Sequence, residues 1–495
     1  MTRRRISFFV RTLSSPILLC LLFGTSVFAQ ARPQPVTIGD ITVSGSVRTR
    51  VEAWDWFEGN ANGDYAYPGS LVRVAFGQSK KPFEWQIELA VPFILGLPDD
   101  AVAPGAQGQL GLGASYFAAN NSSRNAAMLF VKQGFIRFRD LGGVSGQSLK
   151  VGRSEFIDGT EVSPGNPTLA ALKRDRVAHR LLGNFVFSHV GRSFDGVQYA
   201  VDKGALNFTA LAGRPTRGVF QVDGWGELNV NVLYGALTGQ IPSATDAGDW
   251  RLFGLGYSDA RDTVVKTDNR PPAARRADTR HITIAMVGGH YLEAVTTPAG
   301  VVDVLTWAAG QAGSWGALSH RAVAFAAEAG WQPSRLTTLR PWIRGGYNYG
   351  SGDHDPSDAT HGTFFQALPT PRVYARFPFY NMMNTGDAFA ELLLRPSSRF
   401  TVRTDVHALR LSDPQDLWYQ GGGAFQPGTF GYVGRPSTGQ TSLATLYDIS
   451  ADYTLSPHVF LGGYYGHAAG GRVTQALYPQ GNGASLGYVE MTLRF

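Results

Sequence analysis

Arginine and acidic side chains recur two residues apart in this sequence. Arg48, Arg50 and Glu52 do so in RTRVE, and Arg403 with Asp405 in FTVRTDVHA. Arg137 and Arg139 keep the spacing in FIRFRD, while Arg344 lies in LRPWIRGG, Arg153 in VGRS, and Arg192 shortly before Asp195 in GRSFD. A guanidinium is a planar, permanently charged fork that grips carboxylates and phosphates in pairs. A carboxylate beside it competes for that grip, so a row of both signs holds a passing anion loosely. The chemistry such a row offers is repeated, reversible anion contact rather than bond making. The eight arginines are the candidate contacts, with Glu52 and Asp195 as counter-charges.

A two-residue spacing puts side chains on one face of a β-strand, and the sequence alternates in this way almost throughout. In ITVSGSVRTRVEAW the apolar or small face is Ile41, Val43, Gly45, Val47 and Val51, and the polar face includes Arg48, Arg50 and Glu52. FEWQIELAV sets Phe83, Trp85, Ile87 and Leu89 against Glu84, Gln86 and Glu88; LYDISADYTL sets Tyr447, Ile449 and Tyr453 against Asp448 and Asp452. No helical period is sustained, and Gly and Pro clusters separate the runs as turns do. Arg153 fits least well, since alternation from Lys150 puts it on the other face, where it needs a bulge or a place beyond the lipid. Arg192 and Asp195 likewise fall on opposite faces of a regular strand.

Half-apolar strands suit either a soluble sandwich or a membrane barrel, which turns its apolar face to lipid and its polar face to a lumen. Residues 1–29 read as a secretory signal, with Arg3, Arg4, Arg5 and Arg11, an apolar run over residues 17–23 and a small-residue site ending at Ala29. That run is too short for a spanning helix. Cys20, the sole cysteine, falls within it, so the mature chain, residues 30–495, needs no disulfide and offers no thiol chemistry. Removing the signal's four arginines leaves forty basic against thirty-eight acidic side chains, a net +2, which supports no nucleic-acid partner. Seven of the cations are Lys, none beyond Lys266; the rest are Arg.

The expected fold is an all-β transmembrane antiparallel barrel of the bacterial outer membrane, in contact with its lipid. Segments recur at roughly 25-residue intervals, which gives about 18 strands, with sixteen as the neighbouring even number. The chain ends on LGYVEMTLRF, with Val489, Met491 and Leu493 alternating with polar residues before Phe495. This reads as the closing strand, of the kind that the barrel-assembly machinery recognises. Residues 96–125 and 259–280 are the longest irregular stretches and suit an extracellular cover or a partial plug.

Other motifs carry less. GASLG, residues 483–487, fits a hydrolase elbow but lacks the following helix. QGGGAFQPG has no strand-to-helix setting for phosphate. Asp353, Asp355 and Asp358 with His354 and His361 match no calcium-loop spacing, and no histidine pair has zinc-site spacing, so neither a metal nor a cofactor is expected.

Four stretches in order resemble the alginate-export family of outer-membrane porins: the Arg48–Arg50–Glu52 strand, LKVGRSEFIDGTEV, HVGRSFDGVQYAVDKGALNFTALAG and YGSGDHDPSDATHGTFFQALPTPR. The resemblance implies an eighteen-stranded barrel that passes an anionic polysaccharide through an arginine-lined constriction, with periplasmic export components as partners. The stretch PRVYARFPFYNMMNTGDAF is more aromatic than the resemblance implies and marks a branch with another substrate. The alternatives are a diffusion porin for small carboxylates or other small solutes, an outer-membrane lipase or protease, and a soluble glycan-binding sandwich or solenoid. An enzyme would need a placed Ser–His or acid pair, which the sequence does not offer.

Overall fold

The computed structural model describes residues 35–241 and 246–495; the signal-peptide reading of residues 1–29 lies outside them. Among the described residues, eighteen long strands form one closed antiparallel sheet. In chain order the first six are β1 (Ile41–Asp55), β2 (Asp64–Lys80), β3 (Phe83–Ile94), β4 (Phe130–Arg139), β5 (Gln147–Ser154) and β6 (Phe194–Lys203). There follow β7 (Leu206–Pro215), β8 (Val230–Ile241), β9 (Asp246–Asp259), β10 (Ile282–Thr297), β11 (Gly300–Trp315) and β12 (Leu318–Pro333). The last are β13 (Trp342–Gly350), β14 (Thr385–Ser397), β15 (Phe400–Leu411), β16 (Ser442–Ser456), β17 (Val459–Gly470) and β18 (Gly483–Arg494). Each pairs with its chain neighbour, and β1 pairs with β18 from Ser46↔Arg494 to Asp55↔Ser485, which leaves no free edge. Closure matters because lipid offers no partner to an unpaired backbone group.

The two ends differ. At one, the connections are short, at residues 81–82, 204–205, 298–299, 398–399 and 457–458. At the other they are long, at residues 95–129, 155–193, 351–384 and 412–441. In outer-membrane barrels short turns face the periplasm and long loops the exterior.

The alternation read from the sequence is the alternation of the wall. Across the closing seam Val51 faces Val489 and Arg50 faces Glu490. The first pair is exposed on the outside, with Val489 at 56%, and the second is turned inward, with Arg50 at 4%. Val406, Tyr447 and Ile449 are exposed outside while Asp405, His407 and Asp448 are buried inside. Arginine at the bilayer midplane costs about 2–4 kcal/mol. We therefore expect Val489→Arg, halfway along β18, to lower stability in lipid vesicles by about 2–4 kcal/mol. Urea titration of the refolded barrel checks this; a loss below about 0.5 kcal/mol would show that the outer face does not meet lipid there.

The two stretches read as the longest loops cover the long-loop end, one holding the helix Leu112–Ala119 and the other the helix Pro272–Ala277. The aromatic run at residues 371–389 supplies a core for this cap: Phe379 meets Trp418 at 4.6 Å between ring centres, and Phe377 stacks on Trp56 at 6.0 Å. The filling of the barrel comes from residues 155–193 and 351–384.

Candidate functional site

Residues 155–193 touch the inward side chains of strands all round the wall. Glu155 meets Arg73 on β2 at 3.3 Å, and the Val190 carbonyl accepts from Lys132 on β4 at 3.2 Å. Lys173 meets Asp249 on β9 at 3.0 Å, and Arg176 meets Glu328 on β12 at 2.8 Å. Arg180 donates to Asn348 on β13 at 3.1 Å. One segment can reach all these faces only from inside the barrel. Three buried ionic hubs hold it there. In one, Arg251 on β9 reaches both Glu161 at 3.2 Å and Asp158 at 3.4 Å, and lies over the Phe253 ring. In the others, Lys173 shares Asp249 with His290 at 2.8 Å, and Glu328 is shared by Arg176 and Arg344.

The tip of this segment meets β1 at the closing seam. Arg48 donates to the carbonyls of Val186, at 2.6 Å, and Ser188, and Arg50 donates to that of Phe187 at 3.0 Å. Arg50 also grips Glu490 at 2.7 Å, reaches Glu52 at 3.4 Å, and is sandwiched between the rings of Phe187 and Tyr488 at 4.3 and 4.5 Å. Arg48 lies 3.7 Å from the same Glu490 and keeps 13% of its side-chain surface exposed. Along the same side of the lumen, Arg403 bridges Glu391 and Asp405, both at 2.9 Å, and Arg376 from residues 351–384 approaches Asp452 at 3.6 Å. Arg48, Arg376 and Arg403 keep part of their surface exposed in these pairs, whereas Arg50 is buried.

At the long-loop end a cavity of about 180 Å³ is lined by Arg372, Arg435, Trp56, Gln420, Phe430 and Tyr432. Arg372 lies 5.9 Å from the Phe187 ring, which also meets Arg50 and Tyr488. A line of guanidinium groups thus leads from the mouth to the seam. At the short-turn end Arg137 and Arg139 share Glu84 at 2.6 and 2.5 Å, beside Lys150 over the Phe135 ring.

Four of the residues expected on this path are not free contacts on it. Arg153 and Asp195 are cross-strand partners on the outward face near the long-loop end, paired at 2.6 Å and roofed by the carbonyls of Gly224 and Trp225. Strict alternation governs them after all, and the loop after β7 supplies the cover that lets them sit outside. Arg192 turns inward but is buried, donating to the carbonyls of Gly183, Leu368 and Gly423, so it staples three loop segments. Arg344 faces inward too, but it is 3% exposed and bound to Asp303 and Glu328, an anchor rather than a free contact. Reading the sequence missed Glu490, Glu391, Arg376 and Arg372. Glu490 stood on the polar face of the last strand, but its partner Arg50 becomes visible only once β1 and β18 are known to pair.

The Asp353 loop uses its carboxylates locally. Asp355 accepts from the Ser357 amide at 2.9 Å and Asp358 from the Thr360 amide at 2.6 Å. His361 is buried, stacked on Trp315 at 4.1 Å. Asp353 gives its amide to Asp416, which also accepts from Thr363 and Tyr419 and so ties the loops at residues 351–384 and 412–441 together. Burial pushes the Asp416 carboxyl up to about 7 and the Asp353 carboxyl up to about 6. Raised carboxyls stabilise the fold fully below the ordinary value near 4, and that contribution is lost as pH rises through the raised values. We expect the Asp353 and Leu417 amides to be better protected from hydrogen exchange at pH 5 than at pH 8, after correction for intrinsic rates. Equal protection would contradict the neutral-carboxyl tie.

The family model described as Alginate export matches residues 114–479. No curated protein matches the sequence. Among solved structures, the chain resembles Pseudomonas aeruginosa OccK9 (OpdG), with TM-score 0.55 and 9% identity over 92% of this chain and 99% of that one. Acinetobacter baumannii OccAB2 gives TM-score 0.54 at 9% identity, covering 92% and 98%. Pseudomonas aeruginosa OpdK, solved with vanillate, gives 0.51 at 8% identity, covering 92% and 98%. At such identities the likeness is one of fold.

Proposed function

The chain belongs to the alginate-export family and forms an outer-membrane channel, and we propose that it passes an anionic polysaccharide by diffusion along its arginine-lined side. One observation carries the reading. Arg48, Arg376 and Arg403 keep 13%, 23% and 15% of their side-chain surface exposed, each beside a carboxylate that a passing carboxylate could replace, and Arg50 lies buried behind them. A polyuronate carries one carboxylate per sugar, so exchange from one guanidinium to the next moves it without a deep energy well. Pores conduct when binding favours entry yet stays weak enough for exit. The polymer enters from the short-turn end, past Arg137 and Arg139, and leaves through the cavity at Arg372 and Arg435. Periplasmic export components would deliver it there, and the assembly machinery would grip β18 and Phe495.

A second reading, a channel for small carboxylates, is favoured by one observation: residues 155–193 and 351–384 fill much of the lumen. A channel of the same fold was solved with vanillate, an aromatic carboxylate. Oligouronates of increasing length, added to the short-turn side of a single channel in a planar bilayer, separate the two. Under the export reading, current block deepens and lengthens with chain length, and neutral oligosaccharides of equal length do not block. Block that is the same for monomer and polymer would favour small carboxylates; no block by any uronate would overturn both.

A further inference from the structure

The registers of β14, β15 and β16 set three carboxylates in one inward row: Glu391 opposite Asp405, and Asp405 opposite Asp448. His407 stands two residues beyond Asp405 on the same face, and its Nδ1 lies 3.0 Å from Asp387. All five are buried, none more than 8% exposed. Like charges opposed on neighbouring strands repel, and buried carboxylates require a compensating cation. Among the described residues Arg403 forms ion pairs with Glu391 and Asp405, which leaves Asp448 short of one. Asp448 accepts from Tyr464 with one oxygen, while its Oδ2 has no hydrogen-bond partner, and neither has His407 Nε2.

We propose that Asp405, His407 and Asp448 bind a single divalent transition-metal ion, of the zinc or manganese kind. Their ligand atoms lie within 4.8 Å of one another. Two ligands at about 2.2 Å from one tetrahedral ion stand about 3.6 Å apart, so the widest separation in the site closes by about an ångström, within reach of side-chain rotation. With Asp387 accepting the Nδ1 proton, loss of the Nε2 proton on metal binding would free that lone pair for the ion, the arrangement that commonly orients a histidine ligand. Arg403 occupies one lone pair on each Asp405 oxygen, and a carboxylate offers about four. One imidazole with two carboxylates suits zinc or manganese better than calcium, which takes six to eight oxygens. A bound ion would place two positive charges beside Arg403, under the carbonyls of Val373 and Tyr374 that Arg403 also meets.

Zinc content of the full barrel, refolded in detergent, stripped with EDTA and dialysed against trace Zn²⁺, tests this. We expect one zinc per chain, with His407→Gln and Asp448→Asn each weakening it at least tenfold. Asp387→Asn, which removes no ligand, should weaken it tenfold to a hundredfold and serves if a ligand variant loses its heat-modifiable gel shift. Zinc at one per chain in all three variants would assign it to exposed histidines such as His281 or His458 and overturn the site. Absence of stoichiometric zinc and manganese from the wild-type chain would overturn it as well.

Discussion

Arg251→Ala is expected to convert a steady channel into one that flickers to higher conductance. Arg251 is buried and binds Asp158 and Glu161, both carried by the segment that fills the lumen. Asp158 in turn accepts from the amides of Leu181 and Leu182, so it fixes the segment's own turn. Truncating the arginine leaves two buried carboxylates without their cation, a loss of about 3–5 kcal/mol. About 3 kcal/mol already raises the detached population more than a hundredfold. The Lys173–Asp249 and Arg176–Glu328 hubs remain, so detachment is partial and appears as bursts. The wall keeps its β9 ladders, so the variant still folds. Arg251→Lys, which keeps a charge but not the fork, should flicker less. Steady wild-type conductance in a folded Arg251→Ala barrel would show that this hub does not hold the segment.

The second large effect falls on selectivity. Replacing Arg48 and Arg50 together by Gln removes two positive charges at the seam and leaves Glu490 and Glu52 unopposed. In a wet lumen at about 7 Å, each unit charge is worth about 0.6 kcal/mol to a passing ion. Two together act with opposite sign on anions and cations, about 1.2 kcal/mol each, so their loss shifts the anion-to-cation permeability ratio about fiftyfold toward cations at low salt. The shift should shrink at molar salt, where the screening length falls to about 3 Å. Gln keeps a donor for the carbonyls of Val186 and Phe187, so conductance should change less than selectivity. An unchanged ratio would place the selective stretch elsewhere, with Arg376 and Arg403 next to be tested.

The wall was legible because lipid and water impose opposite demands on alternate residues. Val489, Met491 and Leu493 against Glu490 already contain that pattern, and the strands flanking the seam repeat it, whereas β8 and β10 also turn Val230, Val232, Ile282 and Ile284 inward. The contents of the lumen were not legible. Residues 155–193 mix charges with Leu, Val and Phe, which resembles strand and turn, and nothing local says that Arg176 will meet a glutamate 152 positions away. For the same reason Arg344 and Arg403 look alike in sequence. One is sealed by the segment that packs on it and the other keeps water, a difference set by what lies across the lumen. The row of Glu391, Asp405 and Asp448 shows the limit most clearly. Asp405 and Asp448 each stood in a polar row as read, but they meet only through a register between two strands that a thirty-residue loop separates.

The most direct test of the proposed function is the reversal potential of the refolded channel in a planar bilayer under a salt gradient, with polyuronate then added to the short-turn side. An anion-selective potential, with reversible block by the polymer, is the predicted result. A cation-selective potential would contradict the arginine-lined path on which the proposal rests.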